Sequence, residues 1–174
     1  MCKTYSVAAR DCERNWLALV EIVVRLWRNG SVLPRAITPS GMVALGLVVA
    51  KFNRPVTEKM QEAAEEAVAE SNAEIVEKHL VPGAYDAPLA ADRLARREDI
   101  DAVAVIGAII TGDTDHDQVI GAAVAQKLTD VSLDRDTPVT LGVIGPGMSA
   151  DEARARIDKG GEAIESAIEL VEEL

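Results

Sequence analysis

From residue 42 onward, continuous apolar runs alternate with stretches whose apolar residues recur at helical spacing. Residues 43–50, VALGLVVA, form an unbroken aliphatic run, the pattern of a strand buried on both faces. Pro55 then stands where a first helical turn tolerates proline, and residues 56–71 carry alanine and glutamate at helical spacing. AEIVEKHLV, residues 73–81, reads as a second strand, polar enough to lie at a sheet edge. PGAY (82–85) turns the chain into a helix expected over 86–99. DAVAVIGAII (101–110) is the third and most apolar strand, and residues 115–133 form the third helix. TPVTLGVIG (137–145) is a fourth strand, and one helix is expected from about residue 149 to the C-terminus.

The order βαβαβαβα predicts a four-stranded parallel sheet with right-handed crossovers and helices on both faces. This α/β architecture is a three-layer, flavodoxin-like sandwich. In such open sheets ligands bind beyond the carboxyl ends of the strands, so the residues standing there are the candidates for chemistry.

Composition sharpens the picture in two ways. Of 174 residues, 48% are hydrophobic but only 3% aromatic, so the core has to be built from Ala, Val, Leu and Ile. The net charge of −11 argues against nucleic acid or an anionic membrane as a partner through bulk electrostatics. The charge is uneven: residues 1–41 hold six basic and three acidic side chains, leaving twelve basic and twenty-six acidic for residues 42–174.

Residues 1–41 differ from the rest in other respects. Both cysteines (Cys2, Cys12) and both tryptophans (Trp16, Trp27) are there. WLALVEIVVRLW, residues 16–27, is too short to span a bilayer and lacks a following small-residue cleavage site. It suits a short amphipathic or buried helix. The expectation is that the native product begins at Met42, with 1–41 an extension and 42–174 the folded domain. Without cysteine after Met42 no disulfide framework is implied there, and a cytoplasmic location is expected.

The strand ends hold the unusual residues. After residue 42 the only aromatic side chains are Phe52 and Tyr85, at the ends of the first and second strands. Both at carboxyl ends, they fit a ring-stacking site better than core filling. The third strand runs into TGDTDHD, residues 111–117, and the fourth into IGPGMS. A calcium loop beginning at Asp113 would need Gly at 118 and Glu at 124, where Gln118 and Val124 stand. A zinc site lacks partners, because His79 lies inside the second strand and reads as structural. Helix capping by Thr114 or Asp115 accounts for part of the hexamer but not for His116. The functional alternative combines Gly112 and Thr114, offering N–H groups and a hydroxyl to an anion, with His116 one turn inside as a proton shuttle. From the residues alone this reaches a phosphate-bearing substrate, a planar co-substrate and acid–base chemistry.

KFN (51–53), VPGAYDAP (81–88), GAIITGDTDH (107–116) and RIDKG (156–160) together resemble the 6,7-dimethyl-8-ribityllumazine synthase family of riboflavin biosynthesis, in its archaeal form. The likeness runs from Leu45 to the C-terminus. It implies condensation of 5-amino-6-(D-ribitylamino)uracil with 3,4-dihydroxy-2-butanone 4-phosphate, without cofactor or metal. Carried over by motif, His116 is the general acid/base and Phe52, in KFN with Asn53, stacks on the pyrimidine. Ala84 and Asp86, flanking Tyr85, bind the ribityl chain, while Ile109 and Ile110 line the pyrimidine pocket. Gly112, Asp113 and Thr114 hold the phosphate end. Leu141 and the phosphate-binding Arg156 are implied to come from a neighbouring copy in a homo-oligomer, a pentamer or an icosahedral shell of twelve pentamers. Asp86 stands for a more usual Glu, Asp117 for an aromatic and Thr111 for a frequent Arg. About four residues are missing between Arg156 and Lys159 relative to bacterial members.

Two alternatives compete: the related archaeal riboflavin synthase, which dismutates the lumazine, and a non-enzymatic shell or ligand-sequestering protein. The paired PGAYDAP and GDTDH motifs oppose the first, and the presence of His116 and Arg156 opposes the second. Arginine outnumbers lysine twelve to six on this acidic chain, a composition suited to a high-salt cytoplasm. Thermal stability is therefore expected to rise with KCl concentration; a maximum in dilute buffer contradicts that reading.

Overall fold

The structure, a computed structural model, describes residues 41–174. The apolar stretch at 16–27 lies outside the described residues. Four strands, β1 (Val43–Ala50), β2 (Ala73–Val81), β3 (Ala102–Ile110) and β4 (Val139–Met148), form one sheet in the order β2-β1-β3-β4. All three neighbouring pairs are parallel. The most apolar runs, β1 and β3, are central and buried along almost their whole length, whereas β2 alternates between buried or half-buried and exposed positions at the edge. Apolar patterning thus sorts the strands into centre and edge by how much surface each must hide.

Among the described residues five α-helices cover the sheet: α1 (Arg54–Ala69), α2 (Ala87–Ala95), α3 (His116–Arg135), the short α4 (Ala150–Arg154) and α5 (Lys159–Glu173). One core lies on the α1 and α5 side, with Leu45, Leu47, Met60, Ile106 and Ile164 at its centre. The second lies on the α2 and α3 side, around Val48, Leu94, Ile100, Val105 and Leu128. Neither contains an aromatic ring. In α1 the buried Val56, Met60 and Ala64 recur every fourth residue and form the inward stripe.

Small residues set the layer spacing where aliphatic packing is tight. A Cβ on Gly160 would lie 1.9 Å from the Met60 carbonyl oxygen, so α5 can rest against α1 only with glycine there. Gly145 has φ +95°, and a Cβ on it would lie 2.0 Å from the Ile109 carbonyl oxygen.

Several boundaries differ from the sequence reading. The second helix ends at Ala95, not 99, and β4 continues to Met148, past the glycines expected to follow it. The single C-terminal helix is broken into α4 and α5 by a turn at residues 155–158. Its expected start is right: Ser149 caps α4, accepting from the Glu152 N–H at 3.3 Å while the Glu152 carboxylate accepts from the Ser149 N–H at 2.8 Å.

Gly160→Ala is expected to cost roughly 1–3 kcal/mol or more, because the added methyl meets backbone rather than a yielding side chain. Denaturant unfolding checks this against Gly112→Ala, where a Cβ meets nothing within 4 Å and a change within about 0.5 kcal/mol is expected.

Candidate active site

Strands β1 and β3 are neighbours, yet β1 is followed by α1 on one face and β3 by α3 on the other. Their carboxyl ends therefore flank the crevice where open sheets of this kind bind ligands. Asn53 closes β1 in the left-handed region, at φ 62°, a conformation asparagine tolerates. Its side-chain Nδ2 donates to the Ala108 carbonyl at 2.8 Å, tying the end of β1 to β3. The Lys51 N–H donates to the Val81 carbonyl at 2.8 Å and the Phe52 N–H to the Pro82 carbonyl at 3.0 Å, carrying the β1–β2 ladder past the strand. The Phe52 ring is left 70% exposed. The residue therefore takes no part in core packing.

The turn after β2 adds a second wall. Ala84–Asp86 form a single 3₁₀ turn, with the Asp86 carboxylate accepting from the Gly83 N–H at 3.0 Å. Ala84 is buried and Tyr85 is 67% exposed. Thus both late aromatic residues stand outside the two cores, as their positions in the sequence predict.

Past β3 the chain enters an exposed loop containing Gly112, Asp113 and Thr114. Asp115 occupies the N-cap of α3 but makes no side-chain cap bond. The exposed His116 is the first helical residue and not one turn inside, so its imidazole stands at the very end of the helix. The first-turn N–H groups and the positive end of the dipole point the same way. The next residue behaves differently. Asp117 is buried, and its Oδ2 accepts from the Thr111 hydroxyl at 3.0 Å, the Gly147 N–H at 3.1 Å and Gln118 Nε2 at 3.4 Å. The Gly147 N–H, ahead of the Thr111 hydroxyl, holds this carboxyl below the usual carboxylate range. The sequence marks Asp117 as one acid of the excluded calcium loop and as a departure from the family pattern, and neither points to this role. Its partner Gly147 lies thirty residues away, and no local spacing signals the contact.

Other sequence-predicted residues are dispersed. Ile109 faces the α2–α3 core and Ile110 the α1–α5 core, because consecutive strand residues point to opposite faces. Leu141 is in register with Val105, about 16 Å of strand rise short of Ile110. It is 53% exposed and borders an apolar depression of about 330 Å³, lined also by Ile109, Val143 and Pro146. Arg156 is exposed in the turn between α4 and α5, where its guanidinium donates to the Glu152 carbonyl at 3.1 Å. Among the described residues it forms no ion pair. His79 is half-exposed on β2, 3.8 Å from the Glu77 carboxylate, away from the crevice. Among the described residues, no group of three or more His, Cys, Asp or Glu side chains is arranged to hold a metal ion, and no helix is long and apolar enough to cross a membrane.

Comparison with known proteins agrees with this arrangement. The profile of the 6,7-dimethyl-8-ribityllumazine synthase family matches residues 42–174. A protein of that name from Halorubrum lacusprofundi is 70% identical over 133 residues, 76% of this chain and 99% of its own length. Its namesake from Halobacterium salinarum is 68% identical over 76% of this chain and 100% of its own length. The one from Methanococcus aeolicus is 47% identical, covering 76% of this chain and 98% of its own. With the parallel sheet, the strand-end motifs and these relatives in agreement, the chain belongs to the 6,7-dimethyl-8-ribityllumazine synthase family.

Proposed function

We propose that residues 42–174 form the catalytic domain of a cofactor-independent transferase. It condenses 5-amino-6-(D-ribitylamino)uracil with 3,4-dihydroxy-2-butanone 4-phosphate to give 6,7-dimethyl-8-ribityllumazine, phosphate and water. The observation that carries this reading is the convergence of Phe52, the 84–86 turn and His116 at the carboxyl ends of neighbouring strands in a family member. Phe52 offers a flat apolar face to the pyrimidine, with Asn53 fixing its backbone. Ala84 and Asp86, beside Tyr85, take the ribityl chain through backbone and carboxylate. Ile109 and Ile110, whose side chains face opposite cores, border the pyrimidine through their backbone at the end of β3. Gly112, Asp113 and Thr114 lead into the amino end of a twenty-residue helix, a setting that attracts phosphate.

The chemistry then needs proton traffic more than covalent help. The amine of the pyrimidine attacks the ketone and water leaves as the imine forms. A proton is then removed from carbon and phosphate departs with the bonding electron pair. The second amine closes the ring with loss of another water. Each step moves a proton to or from nitrogen, oxygen or carbon, and His116 at the mouth of the crevice is suited to relay it.

The proposal includes a homo-oligomer. Leu141 and Arg156 are exposed and share no hydrogen bond or ion pair with the strand-end residues, so a neighbouring copy would supply them to the site. Exposed Val119 and Leu133 on α3, together with exposed Leu141 on β4 and the apolar depression it borders, favour the α3–β4 side as the subunit contact. A pentamer or an icosahedral shell satisfies this requirement. A cytoplasmic location belongs to the same proposal.

An absorbance assay with both substrates tests the activity, and lumazine supplied alone yielding riboflavin would overturn it in favour of a riboflavin synthase. His116→Ala is expected to slow condensation by up to about 10²-fold, and an unchanged rate removes His116 from the mechanism. Arg156→Ala should raise KM for the phosphate substrate far more than for the pyrimidine. Refolding the two impaired variants together should recover part of the activity, since some sites then combine an intact His116 from one copy with an intact Arg156 from another. No recovery on mixing would mean that each chain completes its own site.

A further inference from the structure

We infer that Asp117 is a positioning residue for this reaction: its buried carboxylate locks the phosphate-side loop and His116 onto the end of β4. The inference rests on the proposed function for its catalytic meaning, and on geometry for the clamp itself. Three segments meet at one carboxylate oxygen: Thr111 at the start of the loop, Gln118 in the first turn of α3, and Gly147 at the end of β4. The Thr111 N–H also donates to the Met148 carbonyl at 2.8 Å, joining the same two segments through backbone. One turn along α3 a Cβ on Gly121 would lie 2.7 Å from Pro146, so the helix face bearing Asp117 lies directly against the Gly145–Gly147 loop. Asp117, Gly121, Val124 and Leu128 form one stripe, continuous with the buried core on that side.

The clamp explains how an exposed segment can present ordered groups. Residues 112–116 are all exposed and fall between Thr111 and Asp117, both of which are anchored. Pinning both ends of a five-residue span confines the imidazole and the N–H groups without covering them. No buried side-chain nitrogen or oxygen lacks a partner among the described residues, and the Asp117 Oδ2 accepts all three of these bonds. It acts as an acceptor, and an amide oxygen at the same place can accept from Gly147 and Thr111 as well.

Steady-state kinetics of Asp117→Ala, Asp117→Asn and Thr111→Val test the assignment. Asp117→Ala should lower kcat/KM for the phosphate substrate by roughly 10–100-fold, the scale of a displacement of about 1 Å, with KM for the pyrimidine within about twofold. Asp117→Asn should recover most of that loss with an unshifted pH–rate profile, and Thr111→Val should fall between. Hydrogen exchange of the amides at 111–116 should quicken in Asp117→Ala while the thermal transition stays close to the parent's. Equal impairment by Asn and Ala would mean that the charge, not the hydrogen bonding, matters and would overturn the inference. Equal losses for both substrates, or unchanged exchange at 111–116, would overturn it too. If the parent protein does not condense the two substrates, the proposed function fails, while the exchange comparison still decides the clamp.

Discussion

Two central strands, hydrogen-bonded side by side and hidden on both faces, set every other distance in this molecule. Because β1 and β3 are buried almost from end to end, their backbone groups have no solvent to turn to and must pair with each other and with β2 and β4. The helices that follow them leave toward opposite faces, so the two chains diverge at one point on the carboxyl edge. The bond from Asn53 to the Ala108 carbonyl spans that point. The crevice is thus a consequence of connectivity. The residues around it inherit their proximity from the ladder and not from attraction to one another.

Rigidity at the edge is achieved with few groups. Glycine at 145 and 160 lets backbone approach backbone, and extra ladder bonds at Lys51 and Phe52 extend the sheet past the regular strand. A buried acid at 117 receives the loop on one side and β4 on the other. None of these contacts touches the open volume in front of the strands. The groups suited to chemistry, the Phe52 ring and the His116 imidazole, remain exposed because the work of holding them is done from behind. This division matches the reaction proposed, in which positioned reactants and proton transfer count for more than a strong nucleophile.

The distribution of exposed apolar surface complements that arrangement. The cores bury most of their Val, Leu and Ile, yet Val119, Leu133 and Leu141 on α3 and β4 stay exposed, as do Leu80 and Leu89 on β2 and α2. Among the described residues the Arg156 guanidinium donates to a backbone carbonyl and forms no ion pair. The proposed division of the site between copies would use both features.

Strand and helix order, the two-sided burial of β1, the edge position of β2 and the clustering of unusual residues at the strand ends were legible in the sequence. Each follows from local periodicity or from where a polar residue interrupts an apolar run. The family motifs added the reaction. What periodicity could not reach was the turn that splits the last helix at 155–158 and the meeting of Thr111, Asp117 and Gly147, residues distant along the chain. The C-terminal helix is broken just before Gly160 and Gly161, yet these poor helix formers lie inside α5, so propensity alone does not place the turn. The carboxylate of Asp117 could be recognised as a clamp only once β4 had brought the Gly147 N–H beside it. A sequence determines which groups must be buried or paired; only the assembled chain decides with whom, because the partners come together through packing and not through proximity in the chain.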